Sequence, residues 1–227
     1  MSTIASYKTS LLDAALSGGA LRFGSFTLKS GRQSPYFFNA GSFFTGALHV
    51  PFVDAFASTI TSSSAIHGQF DVLFGPAYKG IPLAAAVFYA LAKQHPEVYT
   101  EVGYTFDRKE AKDHGEGGVM VGAPLQGKRV LVIDDVVSSG TAKREAIEKI
   151  TAAGGKVVGI VVAVDRQETL PDAADRSSAI GQLKKEYGIP ILAIVNLEDI
   201  LTGMKGKIAD ADIVRLEEYR ATYGASD

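Results

Sequence analysis

The sequence predicts an α/β fold, in which a central parallel β-sheet is flanked by helices and carries a small N-terminal hood. The first observation is that short apolar segments alternate with longer segments of helical periodicity. This alternation is typical of β-α-β units, whose strands are buried on both faces. The second observation is size, because 227 residues suit a single domain with one core. We therefore expect one domain over residues 1–227.

The N-terminal part of the chain departs from this alternation. Its first apolar residues recur at helical spacing and stop at Gly18 and Gly19, which predicts a helix. Residues 20–44 carry Gly, Ser and Pro between short aromatic runs, which predicts two or three short strands. We expect residues 1–45 to form mainly the hood and residues 46–227 to form the core.

Strands and helices alternate in the predicted core. The pattern predicts strands at 70–75, 101–108, 129–135, 156–165 and 189–196. It predicts helices at 47–61, 80–93, 139–155 and 177–187, followed by two short helices at the end of the chain.

Composition excludes several classes of function. A formal net charge of −2 argues against a nucleic-acid partner, which would require a broad basic surface. The absence of cysteine excludes disulfides, thiolate nucleophiles and cysteine-ligated metals. The longest apolar stretches are shorter than the roughly 20 residues of a membrane span, and the N-terminal residues resemble neither a secretory signal nor a transit peptide. We expect a cytoplasmic protein with no membrane partner.

The most informative segment is VLVIDDVVSSGTA, residues 130–142. An apolar strand ends in Asp134 and Asp135, and a loop of small hydroxyl residues then enters a helix. Ligands of open parallel sheets bind beyond the carboxyl ends of the strands, and a helix N-terminus favours a phosphate. Carboxylates accept hydrogen bonds from the vicinal hydroxyls of a ribose. The segment predicts a sugar-phosphate site, with the two carboxylates at a solvent-exposed strand end; the alternative is an ordinary strand end followed by a helix cap.

These thirteen residues resemble the motif that binds phosphoribosyl pyrophosphate (PRPP) in type I phosphoribosyltransferases. Four further segments, at 26–39, 74–84, 107–118 and 164–168, resemble the monofunctional orotate phosphoribosyltransferases of fungi and enteric bacteria. The resemblance implies the type I phosphoribosyltransferase fold and a Mg²⁺-dependent reaction of orotate with PRPP in pyrimidine biosynthesis. It also implies a homodimer. Two alternatives stay open: a phosphoribosyltransferase for another base, and a PRPP-sensing regulator without turnover.

The resemblance implies which residues bind PRPP. They are Lys29, Tyr78, Lys79, Arg108, Lys109, Lys112, His114, Asp134, Asp135, Val136, Val137, Ser138, Ser139, Gly140, Thr141 and Ala142. Those with an implied catalytic role are Lys109, Lys112, His114, Asp134 and Asp135.

The basic cluster at 107–118 lies among glycines, which predicts a mobile loop that clamps a polyanion. The alternative is a solvated surface loop. By resemblance, Lys109 acts in the neighbouring subunit's site, and Lys112 and His114 act at the pyrophosphate.

The resemblance implies an orotate pocket formed by Lys29, Phe37, Phe38, Ser138 and Arg166. Adjacent aromatics on a strand face opposite sides, so strand geometry alone allows one ring to stack on the base. A guanidinium can bind the orotate carboxylate in bidentate fashion, although an ion pair of Arg166 with Asp165 or Glu168 is the alternative. Ser138 replaces the threonine that is usual in the family. No side chain is expected to bind the metal directly, because PRPP and water would hold Mg²⁺.

Overall fold

The structure is a computed structural model that describes residues 4–28, 30–112, 118–137, 139–171 and 175–227, with the backbone alone at 111 and 112. Its helices are α1 Ser6–Ser17, α2 Gly46–Ser62, α3 Gly80–Gln94, α4 Pro96–Tyr99, α5 Thr141–Ala152, α6 Ala179–Tyr187, α7 Leu197–Met204 and α8 Asp210–Tyr223. Its strands are β1 Leu21–Thr27, β2 Gln33–Phe38, β3 Val72–Gly75, β4 Gly103–Lys112, β5 Gly118–Gly122, β6 Arg129–Val136, β7 Lys156–Asp165 and β8 Ile191–Asn196. A short 3₁₀ helix spans Ala40–Ser42.

The main sheet has six strands in the order β5-β4-β3-β6-β7-β8. Strands β4, β3, β6, β7 and β8 run parallel to one another, which confirms the predicted parallel sheet. The edge strand β5 runs antiparallel to β4, so the sheet is mixed. In β6, residues 130–133 are fully buried, because helices cover both faces of the sheet.

The helices lie on the two faces of this sheet. On one face, Leu11 of α1, Phe56 of α2 and Leu216 of α8 belong to a core that also includes side chains of α3 and α7. On the other face, Ile147 of α5 and Leu183 of α6 pack against alternate residues of β6 and β7. This is the layered arrangement that alternating strands and helices predict.

Strands β1 and β2 form a separate antiparallel pair, in which Leu21 is opposite Phe38. Two or three short strands were predicted for residues 20–44, and the described part of this segment contains two. Helix α1 packs on the main core, and its Lys8 makes an ion pair of 2.7 Å with Asp199 of α7. The division of the chain at residue 45 stays a prediction.

Two boundaries differ from the prediction for identifiable reasons. Helix α5 begins at Thr141 because Gly140 has a left-handed backbone with φ of 82°, which ends the preceding loop. Strand β4 runs past Arg108 to Lys112, because β5 pairs with it again at Lys112. Among the helices that the structure describes, none has both the length and the apolar character needed to cross a membrane.

Candidate active site

The carboxyl ends of adjacent parallel strands bring the predicted site segments to one edge of the sheet. Strand β3 leads into Tyr78 and Lys79, β6 ends near Asp134, and β7 is followed by Arg166. Because β3, β6 and β7 are neighbours, these segments lie side by side where ligands of open α/β sheets bind.

Asp134 is buried, with 8% of its surface exposed. Its Oδ1 accepts a hydrogen bond of 2.8 Å from the Asp135 backbone N–H, and its Oδ2 contacts the Lys143 ammonium. Burial raises the pKa of Asp134, and the Lys143 charge opposes that increase. The prediction of a solvent-exposed carboxylate pair is therefore wrong for Asp134, because α5 supplies a lysine that covers it.

Lys143 lies beside the acidic end of β6 and was not predicted there. It is 3% exposed, and its Nζ also donates a hydrogen bond of 2.9 Å to the Val136 carbonyl. The signal was its place in α5, because Lys143, Ala146, Ile147 and Ile150 share the buried face of that helix. A lysine at an apolar position indicates a buried partner.

Asp135 has a different partner from Asp134, although the two side chains are enclosed to a similar degree, 14% and 12% exposed. Its Oδ1 accepts a hydrogen bond of 2.8 Å from the Val136 N–H, and its Oδ2 accepts one of 3.0 Å from Lys79 Nζ. The Lys79 side chain is 58% exposed. The two adjacent carboxylates thus have different cations, one buried and one exposed.

The loop after β6 has the strand-loop-helix geometry that the motif predicted. Val137 is buried, and Gly140 turns the backbone into α5. A Cβ on Gly140 would lie 2.9 Å from Arg144 Nη1, so a side chain there would be strained and crowded. The hydroxyls of Ser139 and Thr141 are 3.1 Å apart at the start of the helix. This arrangement presents hydroxyls and backbone N–H groups at a helix N-terminus, which suits a phosphate.

A second buried carboxylate, Asp107 of β4, positions the loop after β3. Its Oδ1 accepts a hydrogen bond of 2.7 Å from the Ala77 N–H, and its Oδ2 lies 2.5 Å from Lys149 Nζ of α5. Asp107 therefore connects the loop that carries Tyr78 to β4 and α5. We did not predict this role, since nothing in the sequence indicates that residues 77, 107 and 149 meet.

The basic residues that follow Asp107 lie in an irregular part of β4. Asp107 pairs with Met120 and Lys112 pairs with Gly118, so β4 has three more residues than β5 between these pairs. Such a bulge redirects side chains away from the regular strand alternation. Lys109 Nζ lies 4.9 Å from the centroid of the Tyr78 ring, which brings the two basic predicted segments together within this chain.

Phe37 and Phe38 face opposite sides of β2, as strand geometry predicted. The Phe37 ring lies 5.6 Å from the Phe26 ring and 5.5 Å from the Arg22 guanidinium carbon. The Phe38 ring packs toward the main core, 6.0 Å from the Phe43 ring.

Arg166 joins the loop after β7 to the two-stranded sheet. Its Nη2 lies 2.6 Å from Glu168 Oε1 and donates a hydrogen bond of 2.9 Å to the Ser34 hydroxyl. The guanidinium also covers the Tyr36 ring at 4.3 Å. The ion pair with Glu168, which was the alternative to a role in binding the orotate carboxylate, is therefore present. Asp165 instead accepts a hydrogen bond of 2.8 Å from the Gln167 N–H.

Several predicted site residues lie outside this description. Lys29, Ser138 and His114 are not among the described residues, and neither is the Lys112 side chain. Within the described part of the chain, no group of three or more His, Asp or Glu residues could hold a metal ion.

Comparison with known proteins identifies the family. Residues 52–179 match the family described as phosphoribosyl transferase domain. The chain is 56% identical to the orotate phosphoribosyltransferase of Metarhizium anisopliae over 99% of this chain and 98% of that one. It is 55% identical to the Neurospora crassa enzyme of the same name, over the full length of both.

A solved structure supports the same assignment. The crystal structure of Francisella tularensis orotate phosphoribosyltransferase is 42% identical to this chain, with a TM-score of 0.81, and the match covers 94% of this chain and 98% of that one. The fold is therefore the type I phosphoribosyltransferase fold, as predicted. The site at the carboxyl edge of the sheet agrees with these full-length matches. The chain belongs to the phosphoribosyltransferases, and among them to the orotate phosphoribosyltransferase family.

Proposed function

We propose that the protein transfers the 5-phosphoribosyl group of PRPP to orotate, giving orotidine 5′-monophosphate and pyrophosphate in the de novo synthesis of UMP. The observation that carries the proposal is the acidic end of β6, which continues through a glycine turn into the N-terminus of α5. Full-length identity to proteins named orotate phosphoribosyltransferase supports the choice of base.

PRPP binds along the edge formed by the loops after β3 and β6. Asp135 accepts hydrogen bonds from the ribose hydroxyls, because its partner Lys79 is exposed and can move to the pyrophosphate. Asp134 fixes the base of the same loop from its buried position. The backbone and hydroxyls of residues 136–142 bind the 5-phosphate at the helix N-terminus.

The basic residues of β4 and the following segment neutralise the leaving pyrophosphate. Lys109, Lys112 and His114 carry out this role with Arg108, and Lys109 acts in the partner's site of a homodimer. Lys109 lies against Tyr78 of its own chain, so action in the partner's site requires this side chain to leave that contact. Charge that develops on the leaving group is stabilised by such cations.

Orotate binds between the hood and the loop after β6. Phe37 or Phe38 stacks on the base, and Lys29 and Ser138 complete the pocket. Arg166 binds the orotate carboxylate, which requires its guanidinium to serve the ligand in addition to Glu168 and Ser34. Its position at the junction of hood and core supports this role.

The reaction requires no covalent nucleophile. The ribosyl carbon passes through an oxocarbenium-like state, as in glycosyl transfer generally, and the protein positions the two substrates and supplies charge. Mg²⁺ is the proposed cofactor, and when bound it would neutralise charge on the pyrophosphate. The Asp135 carboxylate, whose lysine partner is exposed, would contact this cation through water.

The test is PRPP-dependent loss of orotate absorbance in the presence of Mg²⁺, run beside hypoxanthine, adenine and uracil. We expect turnover of orotate and little turnover of the other bases. Preferential turnover of a purine would show a phosphoribosyltransferase of different specificity. PRPP binding without turnover of any base would show a regulator that keeps the fold.

A further inference from the structure

We infer that Lys143 is a positioning residue for PRPP binding, which holds the Asp134 carboxylate in place and joins the two ends of the loop between β6 and α5. The inference rests on the proposed function, and it adds to that function a residue from the helix beneath the loop. Lys143 does not itself touch the substrate in this proposal; it acts through Asp134.

The contacts of Lys143 span the loop. Its Nζ contacts Asp134 Oδ2 and donates a hydrogen bond of 2.9 Å to the Val136 carbonyl, so one ammonium holds two residues at the end of β6. Lys143 itself belongs to the first turn of α5, on the far side of Gly140. Lys143 thereby connects the end of β6 to the start of α5, and the loop between them is held at both ends.

Burial makes this contact specific. Lys143 is 3% and Asp134 is 8% exposed, so solvent screens their interaction weakly. Both Asp134 oxygens are occupied, one by the Asp135 N–H and one by Lys143. The carboxylate therefore cannot rotate without the loss of a hydrogen bond in a buried site, where an unpaired charge is strongly unfavourable.

The same contact changes the charge that PRPP meets. Without Lys143, two adjacent carboxylates would lie below a site that binds a polyanion. Lys143 balances Asp134 from inside the protein, whereas the exposed Lys79 balances Asp135. No ligand can displace the buried Lys143, so it still balances the Asp134 charge when Lys79 leaves Asp135 for the pyrophosphate. The loop can therefore bind phosphate throughout.

The test uses Lys143→Met, which keeps the length and apolar stem of the side chain and removes its charge and donors. PRPP affinity is measured by calorimetry with Mg²⁺, and thermal stability is measured on the same samples. We expect PRPP binding to weaken by about 10–150-fold, the range for loss of a hydrogen bond to a charged group. Lys143→Gln, which keeps a donor and lacks the charge, should also bind PRPP more weakly.

Lys8→Met is the matched control. It removes a largely buried lysine-aspartate pair of 2.7 Å between α1 and α7, beside the edge strand β8 and two strands away from β6. This variant should lose stability with unchanged PRPP affinity. A Lys143→Met protein that is also less stable, but binds PRPP as the unchanged protein does, would show a purely structural lysine and overturn the inference.

A double-mutant cycle tests the route through Asp134. The combined variant Asp134→Asn/Lys143→Met should bind PRPP about as weakly as Asp134→Asn alone, because neighbours in one network are not additive. If the fold-losses of PRPP affinity in the two single variants multiply in the double variant, the inference is overturned. If Lys143→Met does not fold, Lys143→Gln decides in its place, and unchanged affinity in that variant overturns the inference. Absence of PRPP binding by the unchanged protein would instead contradict the proposed function.

Discussion

Asp134 and Asp135 are adjacent in the chain, yet the structure gives their side chains different tasks. Asp134 is surrounded by protein and paired with a lysine that solvent does not reach. The Asp135 side chain is enclosed to a similar degree, but it is paired with an exposed lysine. Neighbouring residues on a strand face opposite sides, so this difference follows from strand geometry. The two carboxylates should therefore respond differently to the same substitution.

We expect Asp134→Asn to lower the free energy of unfolding by about 3–5 kcal/mol, because it leaves the Lys143 ammonium buried without its partner. Asp135→Asn should remain close to the unchanged protein in stability and lose PRPP affinity. Denaturant unfolding and calorimetry of the two variants measure both effects. Equal losses of stability in the two variants would contradict this division of tasks.

Arg166 has two interpretations at the residue scale, namely a ligand for orotate and a structural connection to Glu168 and Ser34. If it binds the orotate carboxylate, the unchanged protein should prefer orotate over uracil by about 10–150-fold in kcat/KM. Arg166→Lys should narrow that preference, because a lysine lacks the bidentate geometry. Glu168→Gln is the control, since it breaks the ion pair and leaves the guanidinium. A preference that survives in Arg166→Lys supports the structural interpretation.

At the scale of elements, buried or bonded carboxylates fix how the strands enter and leave the sheet. Asp107 holds the loop after β3 at the carboxyl edge. At the opposite edge, Asp71 precedes β3 and accepts hydrogen bonds of 2.8 Å from the Arg129 backbone N–H and from its guanidinium. Arg129 begins β6, so this pair aligns the starts of two neighbouring strands.

Hydrogen bonds from the Arg129 side chain lower the pKa of Asp71 from 3.8 to about 2. A carboxylate with a lowered pKa stabilises the folded state above its ordinary pKa, and this stabilisation is lost as the pH falls toward about 2. We expect Asp71→Asn to lower the melting temperature at pH 7, and the difference from the unchanged protein to shrink at pH 3. Thermal unfolding at the two pH values measures this. A difference that does not depend on pH would show that the ion pair contributes nothing.

The sequence predicted most elements because buried parallel strands are continuous apolar runs and helices keep one apolar face. The antiparallel course of β5 and the bulge in β4 were not predictable, because both depend on pairing between strands. The phosphate loop was predictable from a local motif, whereas the roles of Asp107 and Lys143 depend on partners from other elements. Only the buried lysine left a local signal, on the apolar face of α5.

At the scale of the whole molecule, the proposed reaction requires two chains if Lys109 serves the neighbouring site. We then expect two variants to be folded and nearly inactive: Lys109→Ala, and Asp135→Asn, whose defect lies in its own PRPP loop. Mixed and exchanged subunits should regain activity, because each heterodimer has one site free of both defects. The measurement is turnover after mixing, with exchange proved by differently tagged chains. Proven exchange without recovered activity would exclude the action of Lys109 across the dimer.

The connection between hood and core also has a consequence for the order in which the segments of the chain fold. The Ser34 hydroxyl bonds to Arg166, which is 132 residues further along the chain, and Arg32 bonds to Thr169, at a separation of 137 residues. On the ribosome, β1 and β2 emerge early, but these partners are synthesised long afterwards. Contacts of such long sequence separation form late and slowly. The pair of β1 and β2 should thus be among the first segments translated and among the last to dock.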